Sequence, residues 1–406
     1  MKTIFTLGAL AHRSKFIMKL KFLRKWILAP FIFPIALLIR IISPIVLIRT
    51  GGTYGSRIGH FAANLELYLC EKDHDLHPKR SFDIFFHPFN ICNYQLKKMW
   101  ERIPGLRIYQ FAWFLHYGSK LMPDSKRYEI ITEDIDLNDV LIKSKIHLQF
   151  TSDEKLTAQR DLQNMGIHIG STFIGLIARD SSYLKNVAPT RDWSYHNYRD
   201  SNIENYLLAA EELSKRGHFV IRMGSHVNKA LKSNNTKIID YATNGHRTDL
   251  LDIYIGAKCH FFISGNTGLD ALPVIFRKPL ILVNLLPLEL VRGWLPNNLI
   301  LFKKHWLKEE KRFMIFREII ESGAGKFLHA EEFDKQGIEL IENTSEEIRD
   351  VVIEMDERLK GTWETTEQDE ELQRQFWSLF KPNEFNSVFR CRIGAKYLRQ
   401  NKDLLG

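Results

Sequence analysis

The residues best suited to chemistry in this chain lie in two glycine-containing turns that are far apart in the sequence. One turn, Ser264-Gly265-Asn266-Thr267-Gly268, follows an apolar stretch, and a second runs from 51 to 60 after the apolar residues 45–50. A strand that passes through glycines into a helix leaves backbone N–H groups free at the helix start, where the helix dipole attracts phosphate. The sequence therefore predicts two nucleotide-binding units that face one cleft.

Polar residues at the ends of predicted strands are the next candidates, because parallel sheets bind ligands outside the carboxyl ends of their strands. Arg179 and Asp180 follow the predicted strand 173–178, and Arg222 lies in the strand 219–223. One guanidinium group can bind two phosphate oxygens at once. Arg179 and Arg222 are therefore predicted to hold a diphosphate. The other candidates at these ends and turns are Ser56, Arg57, Gly59, Gly224, Ser264, Gly265, Asn266, Thr267, Gly268 and Asn284.

His60 and Arg199 complete the predicted site. His60 lies at the start of a predicted helix, and its pKa range suits a general base, although it could equally be a capping or core histidine. Arg199 precedes a helix for which Ser201 and Glu204 have capping-box spacing. Asp249 and Asp252 are interpreted as surface residues of a further helix.

Metal and dinucleotide chemistry are not expected. Neither glycine turn matches the dinucleotide or Walker patterns. Asp134 and Asp136 match the short acidic pair of some glycosyltransferases, but the acidic residues around them indicate a solvated loop, so no metal ligands are predicted. Four scattered cysteines form no paired motif, which favours reduced thiols in a cytoplasmic protein.

The alternation of predicted strands and helices indicates an α/β fold with parallel sheets. Further strands are predicted at 45–50, 82–86, 237–240, 279–284 and 338–341, with helices from Gly59, over 93–102, after Thr344 and within 369–400. We expect two Rossmann-like domains, at 45–168 and 169–365. They are flanked by a membrane-associating segment at 1–44 and by helices at 366–406, which could pack back on the first domain.

The charge of the chain is concentrated at its amino-terminal end. The formal net charge is +9, and residues 1–65 hold ten of the 57 basic residues and no acidic residue, which leaves 47 basic against 48 acidic residues elsewhere. This distribution argues against a nucleic-acid-binding body. The apolar run 26–39 beside these charges predicts association with the inner face of the cytoplasmic membrane. A single-pass anchor and an ordinary core helix are the alternatives.

Several short segments resemble a poorly characterised family of bacterial glycosyltransferases encoded with surface-polysaccharide genes. These segments are 56–61, 197–201, 220–224, 247–284 and 392–399, within a resemblance that covers about 45–400. The resemblance implies a GT-B architecture, with the nucleotide-sugar donor on the carboxyl-terminal domain and the acceptor on the amino-terminal one. Asn266 stands where similar heptosyltransferases usually carry an acidic residue. The identity of their donor sugar therefore cannot be assigned to this chain.

The leading hypothesis is a GT-B glycosyltransferase that needs no metal or other cofactor. It would move a sugar from a nucleotide-sugar donor to a glycan or lipid-linked acceptor in surface polysaccharide synthesis. A nucleotide-sugar epimerase and a non-catalytic membrane scaffold are the alternatives.

Overall fold

A seven-stranded parallel sheet forms the larger half of the molecule. The computed structural model describes residues 33–187, 189–291, 293–381 and 388–406. The strand order is β12-β8-β7-β6-β3-β4-β5, and every pairing in it is parallel. The strands are β3 (Phe173–Ile177), β4 (Phe219–Arg222), β5 (Ile238–Ile239), β6 (Phe262–Ser264), β7 (Leu280–Leu285), β8 (Leu299–Phe302) and β12 (Arg392–Ile393). The chain adds β4 and β5 on one side of β3 and later adds β6 on the other side. The strand order therefore reverses at β3.

The smaller half is built on two parallel strands, β1 (Leu47–Gly52) and β2 (Ser81–Phe86). Single parallel bridges extend this pair on both sides, from Thr50 to Glu129 and from Phe85 to Ile108. A third, antiparallel sheet lies beyond the large one and has the order β10-β9-β11. Its strands are β9 (Lys304–Leu307), β10 (Arg312–Phe313) and β11 (Ile338–Ile341).

Helices cover the sheets and join the two halves. Helix α2 of the smaller half packs on α9, while α3 and α5 pack on α8. One cluster of buried apolar side chains runs through both halves, from Phe61 to Leu405. The helices are α1 (33–42), α2 (Ile58–Asp73), α3 (Tyr94–Glu101), α4 (Ala112–Ser119), α5 (Ser152–Asn164), α6 (Ser182–Val187), α7 (Leu207–Lys215), α8 (Asp249–Lys258), α9 (Ala271–Ile275), α10 (Phe316–Glu321), α11 (Ala330–Lys335), α12 (Ser345–Lys360), α13 (Glu367–Ser378) and α14 (Ala395–Gln400).

Three sequence predictions need correction. Gly51 and Gly52 belong to strand β1 rather than to the glycine turn, since they pair with Phe85 and Phe86 of β2. Ser201 does not cap a helix, since Asn202 accepts the hydrogen bond from the Glu204 amide and Ser201 faces the Tyr206 hydroxyl. The carboxyl-terminal tail, predicted as helices alone, also adds strand β12 to the large sheet, while α14 packs on α12 and Arg390 pairs with Asp139 of the smaller half.

The predicted membrane-associating segment is described only in part. Residues 1–32 lie outside the described residues, and with them most of the apolar run 26–39. The remainder of that run belongs to α1, whose apolar side chains Phe33, Ile35, Leu37, Leu38 and Ile41 are exposed. The described residues of this run therefore do not form a core helix. No helix in the described ranges has the length and apolar character needed to cross a bilayer.

Candidate functional site

A cleft of about 360 Å³ lies between the two halves, at the carboxyl ends of β3, β4 and β6. Parallel sheets bind ligands at this edge, beside the strand at which the strand order reverses, which is β3 here. The structure brings most of the predicted site residues together in its lining: Arg57, Gly59, His60, Arg179, Asp180, Arg199, Gly224, Asn266, Thr267 and Gly268.

The two predicted glycine turns meet in this cleft. A Cβ on Gly59 would lie 2.9 Å from the carbonyl oxygen of Gly268 and 3.0 Å from its Cα. Only a residue without a side chain permits this approach, which places the start of α2 against the turn after β6. The two halves therefore meet at the bottom of the cleft, where both glycines contribute to its lining.

The first turn of α2 provides unpaired backbone donors. Arg57 is the N-cap residue and makes no side-chain capping bond, and the first turn holds no acidic residue. Each helix start leaves N–H groups without intrahelical partners, and an acidic side chain or a bound anion commonly satisfies them. The start of this 16-residue helix has neither a capping side chain nor an acidic residue, and it lies in the cleft.

Three arginines surround the same space. Arg179 donates to Asp200 Oδ1 at 2.5 Å, whereas no carboxylate of the described residues pairs with Arg57 or Arg199. The Nε atom of Arg199 is buried without a hydrogen-bond partner. Burial first, then the charge of Arg199, lowers the pKa of the Arg179 guanidinium. Two of the three guanidinium groups in the cleft therefore have no carboxylate partner among the described residues.

His196 reports this positive field. Burial first, and then the charges of Arg199, Arg179, His329 and Arg57 in that order, together lower its pKa to about 4. Its ring lies 3.9 Å from that of Tyr195, which in turn stacks on His329. A neutral aromatic group thus stands among three guanidinium groups at the cleft wall.

A buried lysine fixes the turn that carries Arg199. Lys303 donates to the carbonyl oxygens of Tyr198 at 3.1 Å and Asp200 at 2.6 Å. Burial lowers the pKa of Lys303, and no carboxylate forms a close ion pair with it among the described residues. The 3-10 turn Ser194–Arg199 is therefore tied to the end of β8 by charged hydrogen bonds to its backbone.

Asp180 and Gly224 shape the wall beside β4. The Asp180 carboxylate accepts from the Ser182 amide at 2.8 Å and from the Asn228 amide at 3.0 Å. Gly224 has a φ of 149°, and a Cβ there would meet Val227 at 2.7 Å. Asp180 thus holds two loops together, and its negative charge is spent on their backbone amides.

His60 faces Asp134 at the side of the cleft formed by the smaller half. The two atoms His60 Nδ1 and Asp134 Oδ2 are 3.8 Å apart. Asp136 turns away, because its two oxygens accept from the Val140 and Leu141 amides at 2.9 Å each. Asp136 is buried, so the predicted solvated acidic loop is wrong, and the two carboxylates do not converge on one point.

Sequence reasoning missed a second charged pair in the cleft. Arg247 donates to Asp252 Oδ2 at 2.6 Å, and burial raises the pKa of Asp252 to about 6. Asp249 accepts from the Tyr94 amide at 2.7 Å and so links the two halves. The prediction that Asp249 and Asp252 are surface residues is therefore wrong for Asp252, which is buried, whereas Asp249 is half-buried. Other lining residues that were not predicted are Asn93, Tyr183, Trp193, His196 and His226.

Five predicted residues lie outside the cleft lining. Arg222 is 1% exposed and donates to Asp240 Oδ1 and the Lys229 carbonyl oxygen, each at 2.9 Å. This buried ion pair is at odds with the predicted phosphate-binding role of Arg222. Asn284 is fully buried against the backbone of Asn343. The remaining three are Ser264 and Gly265, which are buried in the turn itself, and Ser56, which is exposed to solvent.

A group of metal-ligand types elsewhere is better explained as an ion-pair network. Among the described residues, Glu66, Cys70 and His147 place one possible ligand atom each within 4.8 Å of one another. Arg277 forms an ion pair with Glu66 at 2.8 Å and donates a hydrogen bond to Cys70 Sγ at 3.4 Å. A guanidinium in this position already supplies the cation, and it fastens α2 to the chain after α9.

Comparison with known proteins gives only distant fold similarity. No family model matches the chain, and no curated protein matches it. A glycosyl transferase family 9 protein from Veillonella parvula DSM 2008 is 10% identical, with a TM-score of 0.39 over 77% of this chain and 95% of that one. The E. coli ADP-heptose lps heptosyltransferase II is 13% identical, with a TM-score of 0.32 over 58% and 83%. Similarity at this level does not identify a family or an activity.

Proposed function

We propose that this protein is a glycosyltransferase of GT-B architecture that transfers a sugar from a nucleotide-sugar donor to a glycan or lipid-linked acceptor. The observation that carries the proposal is the cleft between the two halves, where Arg57, Arg179 and Arg199 surround the uncapped start of α2. Such a combination suits a diphosphate, which needs several donors and positive charges at once.

The arginines would serve the leaving group. As the bond between the anomeric carbon and the phosphate oxygen breaks, its electron pair departs on a nucleoside diphosphate or monophosphate. Guanidinium groups already in place stabilise that developing charge at no cost of reorganisation. We propose that they do this without a metal ion, because Asp134 and Asp136 point to different partners and Asp180 is occupied by backbone amides.

His60 is the proposed base on the acceptor side. The acceptor hydroxyl oxygen would form the new bond to the anomeric carbon and pass its proton to the His60 ring. Asp134 lies 3.8 Å from Nδ1, so its carboxylate would stabilise the imidazolium that forms. This role belongs to an inverting reaction, in which one base activates the acceptor. The stacked rings of Trp193 and His196, which both line the cleft, offer a surface for the nucleobase.

The test is transfer of labelled sugar. Purified protein is incubated with membrane extract and each of the common UDP-, GDP- and CMP-sugars, and the label is followed into glycan or lipid. We expect one donor to give labelled product and free nucleotide in equal amounts. His60→Ala should lower the turnover number by roughly 100-fold, the usual range for a general base, with donor affinity unchanged.

His168→Ala is the matched control, because His168 is exposed in a turn outside the cleft. It should leave turnover at the parent level. Interconversion of two sugars with no acceptor would instead identify an epimerase. Binding without any turnover, for every donor, would favour the scaffold hypothesis.

A further inference from the structure

The surface around α4 exposes a group of large apolar side chains. We name it the α4 aromatic surface, and its exposed members are Phe82, Phe89, Tyr109, Phe111, Phe114, Tyr117 and Leu121. Half-buried Trp113 connects several of them, with ring centroids 5.0 Å from Phe114, 4.9 Å from Tyr117 and 6.1 Å from Phe89. A group of exposed apolar side chains of this kind marks an interaction site.

Helix α1 extends this surface. Arg40 of α1 donates to the Ser119 hydroxyl at 3.4 Å and to the Pro123 carbonyl oxygen at 2.9 Å. Its guanidinium also lies 4.6 Å from the ring centroid of Tyr128. Arg40 thus fixes α1 beside the carboxyl end of α4, next to the exposed apolar side chain of Leu121.

Basic side chains outnumber acidic ones around this surface. Residues 102–127, which include α4, contain five basic residues and one acidic residue, although Glu154 pairs with Arg102 and Glu129 with Lys120. Residues 1–65, which include α1, hold ten basic residues and none that is acidic. The Arg107 guanidinium covers the ring of exposed Phe82 at 4.2 Å. Aromatic rings combined with basic side chains are typical of the boundary between lipid headgroups and acyl chains.

We propose that α1 and the α4 aromatic surface together form a docking face for an anionic lipid bilayer, with the aromatic side chains inserted at headgroup depth. Charge complementarity favours lipid over a second copy of the chain, since two copies would bring the same positive charges together. This inference goes beyond sugar transfer and holds for any activity in the cleft.

The docking face also borders the cleft. Phe89 belongs to the α4 aromatic surface, and Cys92, three residues later, lines the cleft. Three residues of extended chain span only about 10 Å. A substrate held in the bilayer could therefore reach the cleft from the docked face without leaving the membrane surface.

The test measures binding of the full-length chain to lipid vesicles. Co-sedimentation is compared between vesicles containing one-third phosphatidylglycerol and vesicles of phosphatidylcholine alone. We expect the parent protein to bind only the anionic vesicles. The triple variant Phe111→Ser/Phe114→Ser/Leu121→Ser should bind them at least roughly tenfold more weakly, because three inserted apolar side chains are lost.

Leu156→Ser/Ile169→Ser is the matched control, since both side chains are exposed and apolar but lie outside the docking face. It should bind as the parent does, and circular dichroism should show both variants folded. Equal vesicle binding by the triple variant would overturn the proposal, because residues 1–32 alone would then account for attachment. A parent dimer that the triple variant converts to monomer would also overturn it, in favour of a second copy.

Discussion

Arg199 and Arg222 occupy two neighbouring regions of the large half and have opposite surroundings. Arg222 ends β4, is 1% exposed, and gives its guanidinium to Asp240 and the Lys229 carbonyl oxygen. Arg199 ends the turn 194–199 and pairs with no carboxylate of the described residues, and each of the two arginines keeps a buried Nε without a partner. The carboxylate partner, rather than position at a strand end, distinguishes Arg222, which stabilises the fold, from Arg199, which can bind a ligand.

The largest effect is expected from removing Arg222, the arginine with a buried carboxylate partner. Arg222→Ala removes one partner of a buried ion pair and should lower the free energy of unfolding by about 3 kcal/mol. Urea denaturation measures this loss. Nucleotide affinity of the folded fraction should stay at the parent value, and a loss of affinity without a loss of stability would return Arg222 to the binding site.

Arg199, which has no carboxylate partner among the described residues, should show the reverse pattern. Arg199→Ala should weaken binding of a nucleoside diphosphate by about 2 kcal/mol, or roughly thirtyfold, since a charged hydrogen bond to phosphate is lost. Isothermal titration calorimetry measures it. Arg160→Ala changes an exposed arginine of α5 and is the matched control. Equal affinities for the two variants would remove Arg199 from the proposed site.

The strand-end rule predicted the location of the cleft well because the sheet is parallel and its edges follow from the apolar runs. It placed Arg179, Asp180 and the turn 266–268 on one cleft. It could not decide where Arg222 points, although the adjacent predicted strand ends in Asp240, and opposite charges on neighbouring strands favour an ion pair.

The missed cleft residues have a different cause. His196 lies in a segment of polar and aromatic residues without helical or strand periodicity, so no pattern fixes its direction. Asp252 lies in α8 with the charged residue Arg247 just before it, which resembles an ordinary solvated helix start. Its burial depends on contact between α8 and the smaller half, a long-range feature that a local pattern does not contain.

Loosening the turn that carries Arg199 should have a smaller effect. Lys303→Met keeps the length of the side chain but removes the donor to the Tyr198 and Asp200 carbonyl oxygens. Nucleotide affinity should fall by about 1 kcal/mol, roughly fivefold, because Arg199 is less well positioned. The Lys303→Met/Arg199→Ala double variant should bind no more weakly than Arg199→Ala alone. Additive losses in this cycle would mean that Lys303 acts independently of Arg199.

The smallest effect is a pH dependence that distinguishes the two arginines without removing either. His196 has a pKa of about 4 in the folded protein, below the ordinary value of 6.5, because burial and the charges of Arg199 and Arg179 oppose its protonation. The unfolded chain therefore binds the extra proton as pH falls from 6.5 toward 4, and folded stability declines over that range. His196→Gln should flatten this part of the stability profile.

A bound nucleoside diphosphate should partly reverse this depression, because its negative charge offsets the arginines beside the ring. Titration of the His196 ring by NMR should then show a higher pKa in the complex than in the free protein. Arg199→Ala should raise the pKa in the free protein and shrink the shift on binding. A ligand-induced shift of the same size in that variant would mean that the phosphate charges do not lie near Arg199, and the contrast with Arg222 would then lack a functional meaning.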